Sequence, residues 1–69
     1  MTNYTPQTAM ARTIILEARA DAVVALCGAI VKLDNLMGDN SAPAKDAIME
    51  VIGVIVSTLE NEADKVARF

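Results

Sequence analysis

The chain has 69 residues, 54% of them apolar, with six basic and nine acidic side chains and a formal net charge of −3. That length holds one small domain, and a domain of this size hides too little of its surface to be more than marginally stable alone. The single cysteine, Cys27, excludes an internal disulfide, and the absence of histidine removes a zinc site with it, so self-association is the staple that remains.

The opening stretch, MTNYTPQTAM, lacks the basic and then apolar run of a secretory signal, and a cytoplasmic location is expected. Thr5 and Pro6 read as a helix start. Threonine caps the first free N–H groups, and proline suits the first helical position, where its missing N–H is not needed. From there Leu16, Val23, Leu26, Ile30, Leu33 and Met37 recur at three- and four-residue steps, which is the spacing of a helix face. The ten residues AVVALCGAIV, 22–31, contain no charge. They are too few for a membrane span, and Lys32, Asp34 and Asn35 follow them. Each charge at mid-bilayer costs about 2.5–3.5 kcal/mol.

GDNSAP, residues 38–43, punctuates the chain. Gly38 suits the left-handed end of a helix, Ser41 a second N-cap, Pro43 a first turn, and Asp46 the positive end of the helix dipole. VIGVIV, residues 51–56, has the branching of a buried strand. Period decides against a strand, because Ile48, Ile52, Ile55, Leu59 and Val66 keep helical spacing. Glu50 interrupts this second apolar region, and Lys65 and Arg68 suit the negative end. The expected fold is therefore all-α, one helical-hairpin domain over residues 1–69 with helices at about 6–37 and 42–68 around a turn at 38–41, antiparallel and dimerising into a four-helix bundle.

With the reversal at residues 40 and 41, Leu26 faces Ile55, Ile30 faces Val51 and Leu33 faces Ile48. Arg19 falls opposite Glu62, and an interhelical ion pair is expected there. Gly28 and Gly53 fall at one height, where a close contact or slight bend is expected.

A second line of small residues, Ile15, Ala18, Ala22, Ala25 and Ala29, runs beside the first seam, matched on the second helix by Ala47, Val51, Val54 and Thr58. Val24, Val31 and Val56 lie close to the outward side. One facing helix cannot cover so broad an apolar arc, so a second copy is expected to do so. The dimer interface is assigned to Ala18, Ala22, Val24, Ala25, Ala29, Val51 and Val54, and Ala22→Glu is expected to leave monomer or aggregate.

Chemistry is thinly represented. Cys27 has no neighbouring base or cation cluster and reads as a small buried hydrophobe. Glu60, Glu62 and Asp64 read as a solvated face, and Met37 and Met49 as core filling, with Met10 near the start of the first helix. No catalytic, cofactor-binding or metal-ligating residue is assigned, and an enzyme is not expected. The acidic stripe of Glu17, Asp21, Glu50 and Asp64, with the terminal aromatics Tyr4 and Phe69, is the expected partner-binding surface.

The leading expectation is thus a small homodimeric module that binds and modulates another protein as adaptor, inhibitor or anti-activator. A membrane-associated hairpin is the alternative. In size and topology the plan resembles the Rop-type plasmid regulators, and that likeness implies an RNA-binding dimer. Arg12, Arg19, Lys32, Lys45, Lys65 and Arg68 are scattered and outnumbered by acids, so no direct nucleic-acid partner is expected.

Overall fold

The computed structural model describes residues 5–68. It is all-helical: α1 spans Pro6–Met37, a short 3-10 turn covers Gly38–Ser41, and α2 spans Ala42–Ala67. A straight helix through all of these residues would be about 90 Å long. The longest dimension is 51 Å, because the turn sends α2 back along α1.

The start of α1 is fixed by two threonines. The Thr8 N–H donates to Thr5 Oγ1 at 3.1 Å, and the Thr5 N–H donates to Thr8 Oγ1 at 3.0 Å. This reciprocal box satisfies donors that a helix start otherwise leaves orphaned, with Thr8 where glutamate or glutamine is more usual. Pro6 follows at the first position.

The turn departs from its expected chemistry in two places. Gly38 has positive φ, as a helix end requires, but its φ of 58° and ψ of −133° lie outside the left-handed helical well. Ser41 does not cap α2. Its hydroxyl turns back and donates to the Gly38 carbonyl at 2.6 Å, and the residue is buried. The serine thus locks the turn rather than the helix that follows. Pro43 sits in the first turn of α2 as expected, whereas Asp46 lies beyond it and Lys65 occupies the last turn.

Half-buried positions on α1 repeat every seven residues, as Arg12, Arg19, Leu26 and Leu33, then Leu16, Val23 and Ile30, then Ile15, Ala22 and Ala29. That is the period of helices in coiled-coil contact. On α2 the matching stripe is Lys45, Ile48, Ile52, Ile55, Val56, Leu59, Ala63 and Val66. Val51, expected opposite Ile30, is exposed, and the neighbouring Ile52 takes the seam. Met37 and Met49 are also exposed rather than core-filling.

The expected pair Arg19–Glu62 does not form. Arg19 Nη1 lies 3.6 Å from Glu60 Oε2, while Glu62 is taken by Lys65 one turn along at 3.1 Å. Half a helical turn separates Glu60 from Glu62, so the choice is one of side as much as height. At these exposures each pair contributes about 0–1 kcal/mol.

Little is buried by this arrangement. Among the described residues only Ala63, Ala67 and Ser41 are buried, no residue of α1 is, and no large side chain is fully enclosed. Gly28 and Gly53 make no close contact: a Cβ built on either meets nothing within 4 Å. The close approach expected there is absent within the hairpin. Gly53→Ala is therefore expected to stabilise α2 by about 1 kcal/mol through helix propensity alone, read as a higher urea midpoint at fixed protein concentration. A lower midpoint would mean that another surface approaches Gly53.

Candidate interaction surfaces

The two helices differ in how their apolar residues are placed. On α2 they gather on one side, whereas on α1 they are spread around nearly the whole circumference. A helix apolar all round is normally enclosed on all sides. Here Met10, Ile14, Val24 and Val31 stand exposed on α1, Val24 at 71%, with Met49, Val51 and Val54 exposed on α2.

At about 3.6 residues per turn, the half-buried stripes divide the rest of the hairpin surface into two broad faces and two outer edges. One face carries Ala18, Ala22, Ala25 and Ala29 from α1 and Ala47, Val51 and Val54 from α2. Of the assigned interface residues, Ala18, Ala25, Val51 and Val54 are exposed there, while Ala22 and Ala29 are half-buried at its margin with α2. Val24 belongs elsewhere, on the outer edge of α1. Among the described residues no interhelical ion pair crosses this face, which carries only the Glu62–Lys65 pair within α2.

The opposite face carries both interhelical ion pairs, Arg19–Glu60 and Lys45–Asp34, the second at 2.7 Å. Near the turn it opens into a groove of about 500 Å³ lined by Ile30, Val31, Ala42 and Met49, with Asp34, Lys45 and Asp46 among them. Lys45 donates to Asp34 Oδ1, and this hydrogen bond is the main cause of an ammonium pKa raised above the usual lysine value. Partial burial opposes the shift, and the charges of Asp34, Asp39 and Asp46 add to it. Sequence reasoning missed this groove, since neither Asp34 nor Lys45 stood out until the turn brought them together.

The acidic stripe does not form one surface. Glu17 and Asp21 lie on the outer edge of α1, and Glu50 and Asp64 on the outer edge of α2, all exposed and on opposite sides of the hairpin. Tyr4 and Phe69 lie outside the described residues. Cys27 is exposed, in contrast to its expected burial, and its position on α1 turns it toward the ion-paired side. Among the described residues no group of three or more acidic, cysteine or histidine side chains could hold a metal ion, and no helix is long and apolar enough to cross a membrane.

Comparison of the chain with protein-family models, curated proteins and solved structures finds no match.

Proposed function

We propose that the chain is a protein-interaction module that pairs with a second copy of itself through the alanine-rich face and binds another protein with the surface left free. The observation that carries this reading is the lack of any buried residue on α1, a helix whose apolar side chains run around its whole girth. Area supports it. The chain exposes 5110 Å², whereas a compact monomer of 7.3 kDa exposes about 4,200 Å². The surplus, roughly 900 Å², is close to the approximately 800 Å² that each partner of a stable complex covers.

The alanine-rich face is the better surface for self-association of the two. Its small side chains allow close helix approach, and burying it desolvates no interhelical ion pair, only the single-helix pair Glu62–Lys65 near one end, whereas burying the opposite face would desolvate both interhelical pairs. The resulting assembly is a four-helix bundle with one hairpin per copy. An adaptor or inhibitor role fits a surface that offers binding groups and, among the described residues, no nucleophile with its base.

Mass in solution tests the first half of the proposal. Light scattering at micromolar concentration is expected to give twice the chain mass without detergent. A monodisperse single chain would overturn the pairing, and recovery only in the detergent-extracted fraction would favour the membrane reading instead.

A further inference from the structure

We infer that the groove beside the turn docks a basic amphipathic helix of a partner protein, an aliphatic side chain entering between Val31 and Met49 while a lysine or arginine one turn away meets Asp46. The inference rests on reading the chain as a protein-binding module and gives that module a site. The groove volume of about 500 Å³ suits one or two aliphatic anchors rather than a whole helix, which is how helix-in-groove recognition works.

Charge selects the sign of the partner. Asp34, Asp39 and Asp46 act on the single ammonium of Lys45, so the cluster is acidic in sum. Lys45 is occupied by Asp34, and Asp46 makes no ion pair among the described residues. A cation approaching the groove therefore meets an unmatched carboxylate beside an apolar floor, an arrangement that steers a basic partner and repels an acidic one. The surface stays open when two copies pair through the alanine-rich face, because it lies on the other side of the hairpin.

The test uses the full chain and two labelled synthetic helices, one with leucines along one side and lysines flanking them, the other with glutamates in place of the lysines. Fluorescence anisotropy is expected to show saturable binding of the lysine peptide and at least about tenfold weaker binding of the glutamate peptide. Asp46→Lys is expected to weaken the lysine peptide about tenfold, and Met49→Ala about fivefold by removing the apolar contact. Asp64→Lys makes the same charge change about 27 Å further along α2, beyond a Debye length of about 8 Å, and is expected to cost less than about twofold.

Equal losses for Asp46→Lys and Asp64→Lys would reduce the binding to net charge and overturn the inference, as would no effect of Met49→Ala. Sedimentation velocity on the same samples separates this reading from the pairing. If Asp46→Lys or Met49→Ala splits the dimer, the groove is a contact between copies and the docking inference falls. If the wild type is a monomer that still binds the lysine peptide at Asp46 and Met49, the docking stands and the pairing falls.

Discussion

Ala25→Glu is expected to turn the proposed dimer into a monomer, raising its dissociation constant more than about a hundredfold. Ala25 is exposed in the hairpin, in line with Ala18 and beside half-buried Ala22 and Ala29, so a glutamate there meets nothing within its own chain. Only a second copy can bury it. In a two-fold pairing centred on this face, two new carboxylates enter one close helix contact without a cation to answer them. An uncompensated buried charge costs about 3–5 kcal/mol, which at about 1.4 kcal/mol per factor of ten exceeds two decades in affinity.

Ala25→Glu is a sharper test than Ala22→Glu. Ala22 borders the seam with α2, so a charge there disturbs the hairpin as well as the pairing. Ala20→Glu supplies the control, being the same change at an exposed alanine on the ion-paired side of α1, and it is expected to leave the mass unchanged. Sedimentation equilibrium reads both variants, with circular dichroism confirming that each remains helical. The reverse pattern, dissociation by Ala20→Glu and none by Ala25→Glu, would move the interface to the ion-paired face. Cys27 offers an independent readout from that side and is expected to remain open to a thiol reagent in the intact dimer.

Local chemistry made the helices legible before their packing. Thr5 and Pro6 mark the start of α1, Gly38 its end, and the three- and four-residue recurrence of Ile48, Ile52, Ile55 and Leu59 excludes a strand even where VIGVIV favours one by composition. These are signals carried within a turn or two of the residue concerned, and the chain obeys them. What failed was the assignment of sides. Glu60 and Glu62 are two residues apart and differ by more than half a turn of the helix, so a small error in placing the seam sends Arg19 to the wrong acid. The same error set Val51 opposite Ile30, although the seam pattern already contained Ile52, and it treated Glu17, Asp21, Glu50 and Asp64 as one stripe when they occupy opposite edges.

The groove was illegible for a different reason. Asp34 and Lys45 are separated by the turn, and each alone is an ordinary surface charge. Their meeting depends on where Gly38 and Ser41 send the chain, which spacing along either helix does not encode. Cys27 and Met49 were judged by residue type, since both kinds are usually interior. In a hairpin with so little interior, that tendency has nowhere to act within one chain.

Gly38→Ala is the second large effect expected, and its sign is opposite to that of Gly53→Ala. At Gly38 a Cβ would touch nothing within 4 Å, so the penalty is not a clash with other side chains. It comes from the backbone: φ of 58° with ψ of −133° is a conformation that glycine adopts freely and an L-residue does not. Holding a side chain there costs about 1–3 kcal/mol. The turn cannot relax cheaply, because the Gly38 N–H donates to the Asp34 carbonyl while its own carbonyl accepts the buried Ser41 hydroxyl. Releasing φ would give up the Ser41 contact and swing Lys45 away from Asp34. Stability for a chain of this length is only about 3–10 kcal/mol in total, so the loss is a large share and corresponds to a fall in melting temperature of roughly 4–8 °C per kcal/mol. Urea unfolding of wild type, Gly38→Ala and Gly53→Ala at one protein concentration measures the difference, since a pairing chain is more stable when concentrated. The two alanine variants are expected to lie on opposite sides of the wild type. If both stabilise equally, the reversal does not depend on the positive φ of Gly38, and the register that brings Asp34 to Lys45 must be set by the seam alone.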